Sequence, residues 1–316
     1  MKESKTKIYP GWYYRLSQFF SQHFSCRIRK IPVHAGLDCP NRDGTLSDRG
    51  CSFCYNPSFS PFLASPGSIR EQIMEAVRKL SPKARENTRF LAYFQSYTNT
   101  YGNPDILQKM YQEALSLDEI AGSAVSTRPD CISDQVLAML QEHAKNKHIW
   151  LEYGLQSSHD RTLERINRGH TAAQFTDAVE RTKGRGIYIC AHIILGLPGE
   201  GMKEMEETIR FLNRSGIDGV KIHHLQIIKN TSLAEEYFQN QIKTFSYPEY
   251  LEILVHLLEL LHPSLVIHRL MSEVTDPDLL IAPRWEQGKA QLHQEVERKL
   301  KERGSYQGAR SGVELS

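Results

Sequence analysis

Cys39, Cys51 and Cys54 form the densest set of metal-binding residue types in the chain. Two residues separate the second from the third, and eleven separate the first from the second. The stretch from Cys39 to Pro57 is rich in Gly, Pro, Asn and Asp, which build turns rather than helix or strand. Sulfurs spaced like those of Cys51 and Cys54 can converge on one centre, and a flexible loop can bring Cys39 to it. Thiolates are soft ligands suited to zinc, copper(I) or iron–sulfur clusters. A structural zinc ion takes four protein ligands. No fourth cysteine stands at a motif spacing, although His34 upstream could complete a Cys3His set. A [4Fe–4S] cluster on four cysteines is closed, whereas three thiolates leave one iron open to a ligand from solution. Phe53, directly before the third cysteine, would cover the sulfurs and limit solvent access.

Other stretches carry polar residues in patterns that suit a site. These are Gln95-Ser-Tyr-Thr-Asn99, Glu152-Tyr-Gly-Leu-Gln-Ser157, Asn167-Arg-Gly-His-Thr171, His192-Ile-Ile-Leu-Gly-Leu-Pro-Gly-Glu200 and Lys221-Ile-His-His224. Glu152 and Gln156, four apart on a strand, share a face. Lys221 and His223 alternate with Val220 and Ile222, so the polar pair faces away from whatever covers the apolar pair. Blander readings stand beside these. Glu152 can instead be read as a structural ion pair, Arg168 as a surface cation at a helix end, and Gly-Leu-Pro-Gly as a turn. His192 reads as a satisfied core histidine, and Cys131 and Cys190 as buried, apolar-like thiols.

The elements that must position these residues follow from periodicity. Ile31 to Gly36 is a short apolar stretch leading into the cysteine loop. Strands are expected over 89–95, 120–126, 149–156, 187–195, 220–228 and 265–270. Helices are expected over 68–80, 105–117, 133–145, 158–167, 172–184, 201–215, 232–239 and 248–261. Strands alternating with helices argue for a parallel sheet with right-handed crossovers. The expected fold is therefore α/β, a partial (β/α)6 TIM-like barrel with N- and C-terminal extensions. Active sites of such barrels lie at the strand C-termini. The cysteines follow the first strand, Gln95 to Thr100 the second, Gln156-Ser157 the fourth, Gly196 to Glu200 the fifth and Lys229 to Thr231 the sixth. Residues 31–283 form the expected core. Residues 284–303 could form a charged helix, and the whole of 284–316 is expected to be a mobile tail.

The 316 residues, 40% hydrophobic and 24% charged, suffice for one large globular domain. No apolar run is long enough to span a bilayer, and no secretory signal is read at the N-terminus. Scattered remaining cysteines suit a reducing cytoplasm better than a disulfide framework. The net charge is only +2, but residues 1–30 carry seven Lys and Arg against Glu3 alone. Tyr9, Trp12, Tyr13, Tyr14, Phe19, Phe20 and Phe24 are interleaved among those cations. Cations with aromatic faces suit a nucleic-acid contact; packing of the aromatics against the body is the alternative.

Three cysteines after a first strand, with an aromatic before the last, resemble the radical S-adenosylmethionine (SAM) superfamily. The eleven-residue spacing resembles the subgroup around the elongator catalytic subunit. That subgroup has Glu-aliphatic-Gly-Val-Gln-Ser, Arg-Gly-His-Thr, His-Met-Met-Pro-Gly-Leu-Pro-Gly and Lys-Ile-Tyr. Their order and spacing match the segments beginning at Glu152, Arg168, His192 and Lys221, over roughly residues 31–235. The acetyltransferase-like domain of that family is expected to be absent. The resemblance implies a [4Fe–4S] cluster on Cys39, Cys51 and Cys54, with SAM chelating the open iron. One electron then breaks the sulfonium C–S bond, and a 5′-deoxyadenosyl radical takes hydrogen from substrate. Arg168 would pair with the SAM carboxylate, and Gln95, Thr98 and Asn99 would face its amino group. Glu152 and Gln156 would face its ribose or methionine, Gly196 and Gly199 would admit its adenine, and Lys221 and His223 would touch substrate.

The same resemblance implies tRNA as partner, with modification at C5 of the wobble uridine. The chain is also similar to a compact bacterial family associated with trimming carboxymethylaminomethyluridine to aminomethyluridine. An electron donor such as flavodoxin or ferredoxin is implied. The competing expectations are radical chemistry on a small molecule such as a porphyrin precursor, and a non-catalytic, metal-bearing RNA-binding module.

Overall fold

A computed structural model describes residues 9–60 and 67–312. Helix α1 (Leu16–His23) precedes strand β1 (Arg27–Val33). Helices α2 (Ile69–Arg78) and α3 (Pro82–Arg85) lead to β2 (Thr88–Phe94), then α4 (Pro104–Leu115), β3 (Ile120–Thr127) and α5 (Asp134–Ala144). Strand β4 (His148–Gln156) is followed by α6 (Asp160–Arg165), α7 (Ala172–Thr182), β5 (Tyr188–Leu195), α8 (Met202–Arg214), β6 (Gly219–His224) and β7 (Ile227–Ile228). Helices α9 (Ser232–Phe238) and α10 (Tyr247–Leu260), strands β8 (Val266–Arg269) and β9 (Leu280–Ala282), and helix α11 (Lys289–Glu302) complete the chain.

Local chemistry sets the helix starts. Ser68 with Glu71, Thr171 with Gln174 and Ser246 with Glu249 form capping boxes at α2, α7 and α10, satisfying backbone N–H groups that have no partner within the helix. The strands β1-β2-β3-β4-β5-β6-β8 pair in that order, all parallel. The helices cover the outer face, where Phe90, Leu107, Leu137, Ile149, Ile189, Ile209 and Leu254 form one core. The sheet curls strongly into a half-barrel. Glu152 on the central strand β4 bonds Lys30 on the edge strand β1 and also Lys221 on β6. Strands three positions apart in a flat sheet would stand about 14 Å from each other, so one carboxylate reaches both only from inside a curled sheet.

The architecture is the expected α/β partial barrel, and the strand expected over 265–270 joins it as β8, the seventh strand of the parallel sheet, pairing with β6. The expected strand over 220–228 breaks after His224, and β7 instead pairs antiparallel with β9 in a separate two-stranded sheet. Strand β1 begins at Arg27, four residues before the expected apolar stretch, its charged residues lying on the edge of the sheet.

Both chain ends pack. Residues 1–8 lie outside the described residues, but Tyr9, Tyr14, Phe19 and Phe20 are buried with Leu91, Trp150, Cys190 and Val266, and Arg15 bridges to Ile267 on β8. Helix α1 contacts both edge strands, β1 and β8, and closes the end of the half-barrel away from the cysteine loop. Tyr9, Tyr13, Tyr14, Phe19 and Phe20 are therefore core, with Trp12 and Phe24 packed partly buried against it, and the expectation that these aromatics face nucleic-acid bases is corrected. The expected mobile tail is corrected in the same way over 284–312. Leu292, Val296 and Leu300, spaced four apart, are fully buried on one side of α11. Gln307 is also buried; its amide Nε2 donates to the carbonyls of His262 and Leu265, and its Oε1 accepts from the N–H of Tyr14. A stripe one residue wide among charges is a weak sequence signal, but it suffices to seat a helix. Residues 313–316 lie outside the described residues.

Candidate active site

Residues 34–60 cross the open mouth at the strand C-termini and carry the three cysteines, all of which line one cavity. The Cys54 N–H donates to the Cys51 carbonyl at 3.0 Å, the turn expected of two intervening residues. Amide groups point at the sulfurs: Asn41 Nδ2 is 3.4 Å from Cys51 Sγ and Asn56 Nδ2 is 3.6 Å from Cys54 Sγ. Arg168 Nη1 lies 3.5 Å from Cys51 Sγ. As a free thiol Cys54 is pushed up to about 12 by burial and by the neighbouring Cys51 and Cys39. Among the described residues no three His, Cys, Asp or Glu side chains stand at the spacing of a metal-ion site. The donor set nevertheless suits a cluster, because N–H groups and a guanidinium beside the sulfurs stabilise thiolate charge. His34, the candidate fourth zinc ligand, does not line the cavity. Phe53 does, beside the thiols.

Arg168 reaches the cavity from the turn after α6. Its Nη2 donates to the Gly154 carbonyl at 2.7 Å, and its Nε is buried without a partner. It is not the surface cation of the blander reading. Gly154 leaves room for both side chains, since a Cβ would stand 2.6 Å from the Arg168 guanidinium and 2.8 Å from the Gln156 amide and would push them aside. Strand β4 bulges at this point, and Gln156 adopts φ 74°, a costly conformation for a residue with a Cβ. Gln156 and Glu152 both line the cavity, as the shared face predicts.

Glu152 forms the floor. Its Oε1 accepts from Lys30 at 2.7 Å, and its Oε2 accepts from Lys221, from His192 Nε2 at 3.0 Å and from Ser126 at 3.1 Å. His268 Nδ1 stands 3.5 Å from Oε1 without hydrogen-bond geometry. Burial opposes the charge on this carboxylate, but Lys221 and Lys30 outweigh it and hold Glu152 well below the usual carboxylate range. Both ammonium groups also lie over the Tyr93 ring. His192 is brought down to about 4 by burial and by Lys221, so it is neutral and donates to Glu152.

The remaining candidate residues divide. Gln95 and Thr98 line the cavity; Gln95 Nε2 is tied to the Phe59 carbonyl, and Thr98 Oγ1 is buried without a partner. Asn99 does not line the cavity: its amide braces the carbonyls of Phe94, Ser96 and Ser126. Gly196 and Gly199 also stand outside the lining. The space at Gly196 that a Cβ would need is filled by the Phe245 ring at 2.6 Å, and both glycines have φ 85°. Lys221 is only 3% exposed and beneath the lining, whereas His223 lines the cavity with its Nε2 buried and unpartnered. Sequence reasoning missed Arg128, a lining residue whose guanidinium grips Asp130 at 2.8 and 3.0 Å and donates to the Arg168 carbonyl. It stands just past the C-terminus of β3, so the strand-end rule would have found it. Asn41 gave no signal beyond proximity to Cys39.

Comparison with known proteins settles the family. A model of the radical SAM superfamily matches residues 45–212, and its C-terminal-domain model matches residues 217–302. The chain belongs to the radical SAM superfamily. Protein YhcC of Escherichia coli (strain K12) is 36% identical over 293 residues, covering 92% of this chain and 93% of the relative. Human Elongator complex protein 3 is more distant, 26% identical over 165 residues, 51% of this chain and 30% of that protein. Among solved structures, archaeal Methanocaldococcus infernus Elp3 with an N-terminal deletion superposes with a TM-score of 0.63 at 14% identity. It covers 89% of this chain and 64% of that one. The radical SAM enzyme described here thus shares its fold with that Elp3 and has a weak sequence link to elongator proteins. No helix among its described residues is long and apolar enough to cross a membrane.

Proposed function

We propose that this radical SAM enzyme modifies the C5 side chain of the wobble uridine in tRNA, converting a carboxymethylaminomethyl group to aminomethyl. Cys39, Cys51 and Cys54 would hold a [4Fe–4S] cluster that supplies the electron for reductive cleavage of SAM. Arg168, with an unpartnered Nε in a buried setting, binds the SAM carboxylate. Thr98 and Gln95 offer oxygens to its amino group, and Gln156 lies on the same wall. Phe53 and Phe59 line the same cavity and exclude water from its wall. The observation that carries the reading is the convergence of the segments around Glu152, Arg168 and His223 on the cavity of the cysteines, together with the elongator relatives. An electron donor such as flavodoxin or ferredoxin would reduce the cluster. Loss of a hydrogen atom from the carboxymethyl carbon beside the amine nitrogen and return of the second electron to the cluster would leave an imine, whose hydrolysis frees the aminomethyl group and releases the two carbons as glyoxylate. One observation favours a small-molecule substrate instead: Tyr9, Tyr13, Tyr14, Phe19 and Phe20 are buried, and Trp12 and Phe24 are partly buried against the same cores, which leaves little stacking surface.

Two measurements decide. Anaerobic reconstitution is expected to give about four iron and four sulfide per chain, and dithionite with SAM to release 5′-deoxyadenosine. Cys51→Ser is expected to abolish both. Nucleoside mass spectrometry of tRNA from cells lacking the protein is expected to show the carboxymethylaminomethyl form accumulating; an unchanged profile with intact SAM cleavage would leave the small-molecule reading.

A further inference from the structure

The cationic side chains of the cavity fall into two groups. Arg42, Arg128 and Arg168 belong to the cysteine end. Arg42 and Arg168 are the cations that bear on Cys54, and Arg128 feels Cys51 and Cys39. Each has company: Arg128 has Asp130, Arg168 has Gly154 and Cys51, and Arg42 lies over the Tyr97 ring. Arg269, the last residue of β8, lines the same cavity but bears on Tyr93, His192, Lys221 and His223. Among the described residues its guanidinium makes no hydrogen bond or ion pair. The two carboxylates of the lining are already engaged, Glu152 by Lys30 and Lys221, and Glu273 by Lys289. Arg269 is therefore a half-buried positive charge on the cavity wall with no counter-charge among the described residues, and its N–H groups are free to receive an anion.

A second group beside it points the same way. His223 Nδ1 is 2.7 Å from Ser272 Oγ, and its Nε2 is buried without a partner. The imidazole is held neutral by burial and by the Arg269 charge. With the serine hydroxyl donating to Nδ1, the proton sits on Nε2, which can then donate to an acceptor in the cavity. A fork of guanidinium N–H groups beside a neutral N–H donor matches an anion that presents two or more oxygens, as a carboxylate or a phosphate does.

We propose that Arg269, with His223 alongside, anchors an anionic group of the substrate, a carboxylate or a phosphate, on the wall away from the SAM-binding arginine. This deepens the reading above and rests on the cavity being the enzyme's site. No bond is made or broken at Arg269; it positions the substrate.

The test is equilibrium binding to the cluster-reconstituted protein with SAM present, comparing Arg269→Gln and Arg269→Lys with the native chain. The probes are carboxymethylaminomethyluridine, its methyl ester, and each as the 5′-monophosphate. The native protein is expected to prefer the free acid over the ester, or the phosphate over the nucleoside, by about tenfold or more. Arg269→Gln should abolish that preference and Arg269→Lys restore part of it, while SAM affinity and substrate-free release of 5′-deoxyadenosine stay at native levels. A preference on the ester pair assigns the anion to the side chain; one on the phosphate pair assigns it to the backbone. No preference in the native protein, or a preference that survives in Arg269→Gln, overturns the proposal while SAM cleavage still tests the enzyme reading separately. Weakened SAM binding in Arg269→Gln also overturns it, because the anion would then be the carboxylate of SAM.

Discussion

Glu152 shows how one residue can be both site and scaffold. It lines the cavity, yet its two oxygens are occupied by four donors from β1, β3, β5 and β6. The carboxylate acts as a clamp across the inside of the curled sheet. Glu152→Gln keeps the shape but leaves Lys221 buried without its counter-charge. Breaking one side of a buried pair costs about 3–5 kcal/mol, so urea unfolding of the cluster-free variant is expected to show a loss of that size. A loss below about 1 kcal/mol, as for an exposed pair, would remove the clamp role. The structural reading of Glu152, open in the sequence, is the one its hydrogen bonds favour, while Lys221 serves it from below. Gln156 is the complementary case. Its strained φ and bulged strand were invisible in a sequence that shows only two polar residues four apart.

At the scale of elements, the strand ends were legible because parallel strands buried on both faces read as apolar runs. All eight residues of β3 are buried, and its neighbours are nearly so. The terminal segments were not legible for the converse reason. Helix α1 and the residues before it mix cations with aromatics, and composition alone does not say which of the two meets the core. Phe19 packs against Trp150, Tyr188 and His148 with ring centroids 5.3, 5.2 and 5.7 Å away. Phe19→Ala is expected to cost about 3–5 kcal/mol of stability, read as a lower urea midpoint with an unchanged slope. If RNA stacking were its role instead, the midpoint would stay and only tRNA affinity would fall.

Across the whole molecule, buried histidines make the fold acid-sensitive. Burial brings His148 and His192 down to about 4 and His224 and His268 down to about 3, from an ordinary value near 6.5. Each binds its proton more weakly folded than unfolded. The unfolded chain therefore takes up protons first as pH falls below about 6.5, and stability drains away down to about pH 4 and below. Each unit of separation is worth about 1.4 kcal/mol per group. The urea midpoint of the cluster-free protein is expected to fall steadily from pH 7 to pH 5, and His148→Phe to flatten that fall. A midpoint constant over this range would mean that these rings already bind protons in the folded state.

The sequence by itself determined the order of strands and helices, the turn that carries Cys51 and Cys54, and which strand ends hold polar residues. These are local matters of periodicity, capping and spacing. The curl that brings β1, β4 and β6 onto one carboxylate was decided by tertiary structure, as were the burial of both chain ends and the pairing that leaves Arg269 without a counter-charge. Whether a charge has a partner depends on residues far apart in the chain, and only the folded sheet brings them within a hydrogen bond of each other.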